Sequence, residues 1–436
     1  MSKKILATTT FILFVVLALT ACGGGATPTE EQVLEEGNVP VVTEQVTLSI
    51  WAFEGESEFF DGLIAAFEEK YPDVNVEVTD IPEDEYTTKI DTALIAGEPP
   101  DIGFIYEPKW VAAGHFLPLD ETLRKFNISV DDYNPGAMAQ NCLYGEEVYC
   151  LGTYTGAIML FYNKDIFDAA GVPYPSTTTP MSMDEYVAMA QAVTKKSETL
   201  EENIWGSDAD IGIWWQDWQN FIGEEGRKVE GYTNDGSTVH AFEKLAEIRK
   251  DGTVISGADA GSLEGVDLLA TGQLATSIVD NVIAIPMLEN SGFRWGAAIV
   301  PVEKKGDEPW TTTWTDGFGV FSKSKHPVEA ANFVAFMGME GNELRLNNGD
   351  FPLNMSLASQ WAGDSEGRQE AVKVLELARA TIFVPGYWDV TSPLWDAFYG
   401  DILEDGRDVQ EVLDEYAPIM QETLDQAWET WESFLK

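Results

Sequence analysis

Between Val46 and Tyr106 the spacing of apolar residues switches repeatedly between a strand period and a helix period, and this alternation limits the chain to few architectures. Val46, Leu48, Ile50 and Ala52 alternate along Val46–Phe53 and predict a strand. Phe59, Phe60, Leu63, Ile64 and Phe67 form a helical stripe that begins near Ser57, a residue suited to capping a helix. Pro72 follows it, and residues 74–79 alternate again. Tyr86, Ile90, Ala93 and Leu94 mark a second helix, stopped by Gly97 and by Pro99 with Pro100. Residues 101–106 read as an inner strand. Successive strands joined by helices pair in parallel, because a parallel pair needs a long crossover. The fold class is therefore α/β, with sheets flanked by helices.

The pattern returns downstream. Residues 156–163 predict a strand, and 165–170 a short helix ended by Gly171. Ser182 and Glu185 have capping-box spacing ahead of Tyr186, Val187, Ala190 and Val193. Residues 239–250 predict a helix and 274–279 a strand. Pro327 sits at a first helical position before Ala330, Phe333, Val334 and Met337. A final helical region holds Val409, Val412, Leu413 and Tyr416, then Leu424, Ala427, Trp428 and Trp431, and Pro418 is expected to kink or divide it. A chain of 436 residues, 44% of them hydrophobic, has material for two to three domains.

The first residues read as a targeting segment. Lys3 and Lys4 precede a mostly apolar stretch from Ile5 to Leu19, too short for a spanning helix. Leu19-Thr20-Ala21-Cys22 resembles the bacterial lipobox, which implies cleavage before Cys22, a lipid on its sulfur and an extracytoplasmic, membrane-anchored protein. Residues 1–21 are then a lipoprotein signal peptide. Residues 22–45 are small, polar and acidic and read as a flexible tether. The formal net charge of −48 repels nucleic acid, so no nucleic-acid partner is expected. Cys142 and Cys150 bracket a short hairpin turning at Gly145. Outside the cytoplasm they are expected to pair, free thiols being the other reading.

Four stretches together resemble the family 1 extracellular solute-binding proteins, the maltose-binding-like group. The first is Leu48-Ser-Ile-Trp51, with the following helix ending Phe67-Glu-Glu-Lys-Tyr-Pro-Asp-Val74. The second is Gly97-Glu-Pro-Pro-Asp-Ile102 with Gly114-His-Phe-Leu-Pro-Leu-Asp120. The third is Leu160-Phe-Tyr-Asn-Lys-Asp165, continuing to Met183-Asp-Glu185. The fourth joins Gly272-Gln-Leu-Ala-Thr276, Trp295-Gly296, Val300-Pro301, Thr315-Asp-Gly-Phe-Gly-Val320 and Glu329-Ala-Ala-Asn-Phe333. The resemblance implies a two-lobed periplasmic-binding fold, type II-like, with a ligand cleft between lobes. Lobe one is expected at 46–154 plus 281–338, and lobe two at 155–280 plus 339–436. Hinges are expected near 154–157, 279–282 and 337–341. It also implies a monomeric receptor that passes its solute to the permease of an ABC importer.

A sugar offers hydroxyls to polar side chains and C–H faces to aromatic rings, so its site needs acids or amides beside Trp or Tyr. In open α/β sheets such groups lie on loops beyond the strand ends. Glu54 and Glu56 follow the first strand, as ligand acceptors or as charges that favour the next helix N-terminus. Tyr106, Glu107 and Trp110 follow the third; Trp110 either faces the cleft or packs beneath a helix. Tyr154 lies at the first crossover, which lacks the acid that maltose-binding relatives carry there. Trp214, Trp215 and Trp218, interleaved with Gln216, Asp217, Gln219 and Asn220, form the sharpest local signal. Asp280 and Asn281 suit sugar hydroxyls or a hinge hydrogen bond. Trp314 with Asp316, and Tyr387 with Trp388, complete the candidates, while Asp101 and Trp395 read as structural.

No Gly-x-Ser-x-Gly, Walker loop, Gly-x-Gly-x-x-Gly or His-Glu-x-x-His occurs. His115, His240 and His326 lack metal-ligand spacing, so neither a cofactor, a metal nor a catalytic residue is expected. The reading is a carbohydrate receptor, not an enzyme. The alternatives are a secreted glycan-active enzyme, a polymer-binding surface adhesin, or a receptor for a polyol, a glycerol phosphate or a cationic solute. Acidic, aromatic loops disfavour a phosphate, which would want Arg or Lys.

Overall fold

The computed structural model describes residues 45–55, 57–209, 211, 221–223, 225–263 and 266–434. Two sheets organise them. The first has the strand order β10-β3-β1-β2, from β1 (Val46–Phe53), β2 (Val74–Ile81), β3 (Ile102–Phe104) and β10 (Phe318–Val320). β1 pairs in parallel with β2 over its whole length, from Val46 against Val74 to Phe53 against Ile81, and in parallel with β3. Only β10 is antiparallel. The alternation in β1 has its expected consequence: Leu48, Ile50 and Ala52 are fully buried. Phe59, Phe60, Leu63 and Phe67 of the helix Ser57–Lys70 are buried in the same core. Each such side chain contributes about 1.5–3 kcal/mol of apolar burial.

β3 is shorter than the sequence suggests, and Tyr86 shows why the chain can leave the sheet there. Its buried hydroxyl accepts the Phe104 N–H at 2.7 Å and donates to the Trp51 carbonyl at 3.1 Å. A side chain thus substitutes for a sheet neighbour at the strand's end. Asp101 is structural, as expected: it accepts from the Ser49 N–H, the Ser49 hydroxyl and the Ser324 hydroxyl.

The second sheet is built around β6 (Gly156–Asn163), whose eight residues are all buried. β7 (Thr276–Asp280) pairs with one edge of β6, and β8 (Trp295–Ala298) and β9 (Thr311–Trp314) also pair with it, all antiparallel. β11 (Ala378–Arg379) runs parallel to β9. Side chains of β6 alternate between two cores: Leu160 and Tyr162 join one, Met159 and Phe161 the other. A two-stranded hairpin of β4 (Leu143–Tyr144) and β5 (Glu147–Val148) stands apart, with Gly145 at φ 66° in its turn. Cys142 and Cys150 meet at its base with Cα atoms 4.7 Å apart.

Strand pairing revises one expected boundary. Residues 295–314, assigned by resemblance to the first lobe, belong to the second sheet. The chain returns to the first sheet between Trp314 of β9 and Phe318 of β10, not at 279–282. The Thr311 hydroxyl donates to the Ile158 carbonyl at 2.5 Å and that of Thr313 to the Gly156 carbonyl at 2.7 Å, which ties β9 to β6. Pro418 also acts differently from expectation. One helix runs from Val409 to Phe434 through it, with Val412, Leu413, Ala417, Met420 and Leu424 buried along a continuous stripe. Tertiary burial of that stripe outweighs the lost backbone bond. Among the described residues no helix is long and apolar enough to cross a membrane, and no group of acids, His or Cys could hold a metal ion.

Candidate functional site

The chain segments that pass between the sheets meet in a buried polar knot. Asp316 accepts from the Thr153 N–H (2.6 Å), the Thr153 hydroxyl (2.5 Å), the Thr315 hydroxyl (3.1 Å) and the Tyr154 N–H (3.3 Å). Arg345 donates through Nε to Thr153 Oγ1 at 2.9 Å and approaches Asp316 at 3.5 Å and Asp350 at 3.4 Å. Its guanidinium lies 3.7 Å from the Phe59 ring centre and 5.1 Å from that of Tyr154. A buried charge needs this density of partners, since water is absent. Asp316 is therefore corrected from ligand acceptor to structural anchor. Asn281 is corrected in the same way: it is buried, accepts the Ala157 N–H at 2.6 Å and donates to the Thr155 carbonyl at 3.2 Å. Sequence reasoning missed Arg345, which carries no motif.

The loop after β3 places Tyr106 and Glu107 toward the second body. Tyr106 is half-buried, edge-on to Phe53 at 5.7 Å, and its hydroxyl accepts the indole N–H of Trp388. Glu107 precedes the short helix Pro108–Ala112 without capping it, and its carboxylate has no hydrogen-bond partner among the described residues. Burial pushes its carboxyl up; Lys109 opposes this, while Asp91 and Asp389 reinforce it. Trp110 is a correction: it is 1% exposed and its indole donates to Asp91 at 2.7 Å, so it packs beneath the loop and does not line it. Glu54 is exposed in the turn after β1, and its N–H continues the sheet to the Ile81 carbonyl. Glu56 lies outside the described residues.

From the second body, Gly386 at φ 62° turns the chain into the helix Tyr387–Thr391. A residue with a Cβ is strained there, and the turn is what sets the two rings. Tyr387 packs against the core, and Trp388 stands 53% exposed, the rings 5.0 Å apart. Trp388, Tyr387, Phe221, Leu394 and Trp395 line one shallow hollow. The expected pairs Tyr106–Glu107 and Tyr387–Trp388 thus converge from opposite sheets. Asp389, which sequence reasoning passed over, brings a second carboxylate to Glu107.

A further group flanks the start of β6. Asp280 pairs with Ile158 on one edge and Trp314 with Gly156 on the other. Asp280 caps the helix Asn281–Glu289 by accepting the Val282 N–H at 2.8 Å, and burial raises its carboxyl to about 6. The Trp314 ring covers Gly156 so closely that a Cβ there has no space. Tyr154 is half-buried beside them. Asp208, also missed, accepts from Ser277 and from the Ile278 N–H on β7. Trp214, Trp215, Asp217 and Trp218 lie outside the described residues.

The family described as bacterial extracellular solute-binding protein matches residues 54–343. An uncharacterized ABC transporter extracellular-binding protein of Pyrococcus horikoshii is 26% identical over 214 residues, 46% of this chain and 45% of that relative, so the alignment spans about half of each. The fold is similar to that of an ABC substrate-binding protein from Listeria monocytogenes solved with cycloalternan. The TM-score is 0.72 at 20% identity, covering 87% of this chain and 99% of that one. It is also similar to the sugar-binding protein MalE of Xanthomonas citri, with a TM-score of 0.70 at 18% identity over 89% and 99% of the two chains.

Proposed function

This chain belongs to the bacterial extracellular solute-binding proteins, and from that we propose that it is the receptor of an ABC importer that captures a carbohydrate between its two lobes and delivers it to a membrane permease. The observation that carries the reading is the meeting of Tyr106 and Glu107 from one sheet with Trp388 and Asp389 from the other. An exposed indole can stack on the C–H face of a pyranose, while a carboxylate without a protein partner can accept its hydroxyls. Glu54, Tyr154, Asp280, Trp314 and Tyr387 would extend the contacts. Trp214, Trp215 and Asp217 remain proposed on sequence pattern alone. The sugars named for the Listeria and Xanthomonas proteins support the ligand class by likeness only.

The proposed lobes are 46–154 plus 315–338 and 155–314 plus 339–436. Lipidation of Cys22 on the outer face of the cell membrane, a monomeric state and a Cys142–Cys150 disulfide belong to the same reading. A cationic solute is the second reading, favoured by the carboxylates of Glu107 and Asp389. Thermal-shift and calorimetric titration against mono- and oligosaccharides, polyols and polyamines tests both. A sugar that binds, and is recovered unaltered, supports the receptor. Cleaved sugar points to an enzyme, and binding of polyamines alone overturns the carbohydrate.

A further inference from the structure

The hairpin of β4 and β5 is attached to the site loop through a short chain of contacts. The Ile105 N–H, next to Tyr106, donates to the Gly317 carbonyl at 2.8 Å. Gly317 in turn lies against the paired cysteines, and a Cβ there would run into Cys150 Sγ and Cys142 Sγ. Asn141, beside Cys142, accepts the Thr315 N–H at 3.0 Å, and the Tyr149 N–H closes the hairpin base onto the Cys142 carbonyl at 2.9 Å. Both cysteines are fully buried, so the hairpin is held at its base by the strand that also aligns the site loop.

That hairpin carries Tyr144. Its ring is half-buried, packed edge-on against Tyr149 at 5.8 Å and against the first-lobe core that also receives Tyr106. Its hydroxyl has no hydrogen-bond partner among the described residues, and it lies close enough to feel the Glu107 charge. Two neighbouring polar groups, the Tyr144 hydroxyl and the Glu107 carboxylate, are thus withdrawn from water and left without a protein partner. Such groups are costly unless something else satisfies them.

We propose that the cysteine-clamped hairpin is part of the solute site, with the Tyr144 hydroxyl a specificity-determining ligand contact beside Glu107 and the Cys142–Cys150 bond its positioning device. The inference rests on the cleft reading given above. It adds a residue that the β3 loop and the second-lobe aromatics do not supply. A phenol donates and accepts, so with Glu107 it can bind one hydroxyl or amine of the solute from two sides. The covalent base removes freedom that a loop of this length would otherwise lose on binding.

The test uses the mature full-length protein and the tightest binder found in a panel of mono- and oligosaccharides, polyols and polyamines. Tyr144→Phe removes one oxygen and keeps the ring. It is expected to weaken binding by about five- to thirtyfold while leaving the melting temperature of the ligand-free protein unchanged. Binding within about twofold of wild type overturns the contact. The double variant C142S/C150S is expected to weaken binding in the Tyr144 background and to add little in the Tyr144→Phe background. Independent, additive losses overturn the positioning role. If the tightest binder is a polyamine, the carbohydrate reading falls and Tyr144 is judged on that solute. If nothing in the panel binds, both readings fall.

Discussion

Asp280 shows how a single residue links site and stability. Its carboxyl is raised from 3.8 to about 6, chiefly by burial, with the Val282 N–H opposing. The folded chain therefore holds that proton more tightly than the unfolded chain. Wild-type stability falls as pH rises from 3.8 to about 6 and stays lower above that range. Asp280→Asn keeps an oxygen for the Val282 N–H and removes the buried charge. Denaturant unfolding at pH 7.5 should show the variant more stable by up to about 2 kcal/mol. At pH 3.5 the two should coincide, and a gain that persists there would mean that charge burial is not its source. At this scale the sequence named Asp280, Asn281, Trp110 and Asp316 as polar or aromatic residues near strand ends. Which of them turn inward depended on neighbours distant in sequence: Asp91 for Trp110, Arg345 and Thr153 for Asp316, and Thr155 with Ala157 for Asn281.

Elements were most legible where the signal is local. Ser182 accepts the Glu185 N–H at 3.2 Å and Glu185 returns a bond to the Ser182 N–H at 3.1 Å, the reciprocal pair that their spacing implies. Ser182→Ala should cost about 1 kcal/mol, read as a lower denaturant midpoint with an unchanged slope. No loss would mean that Tyr186, Val187 and Ala190, all buried, hold the helix without the cap. Elements were least legible where a partner decides. β3 ends early because Tyr86 takes over its backbone bonds, and the last helix continues through Pro418 because its buried stripe runs on both sides of it.

At the scale of the molecule the site is an arrangement between two bodies, and its function is a change in that arrangement. A solute that touches Tyr106 and Glu107 on one side and Trp388 on the other favours the closed state by its extra contacts there. Small-angle scattering should show a smaller radius of gyration with saturating solute than without. Trp388→Ala should weaken binding about tenfold or more and abolish that compaction at the same solute concentration, with the ligand-free melting temperature unchanged. Compaction that survives would place the closing contacts elsewhere, with the tryptophans of 214–218 as the next candidates.

The sequence alone determined the α/β class, the order of strands and helices in the first lobe, the capped helix at Ser182 and the aromatic and acidic character of the loops. Each is written in the period, the turns or the composition of a short stretch. Only the tertiary structure decided that β9 joins β6, that Trp110 and Asp316 face inward, and that Tyr144 and Asp389 stand beside Glu107. The physical reason is that burial and hydrogen-bond satisfaction are properties of pairs far apart in the chain. One stretch can state what its residues are able to do, and only their distant partners settle which of those things they do.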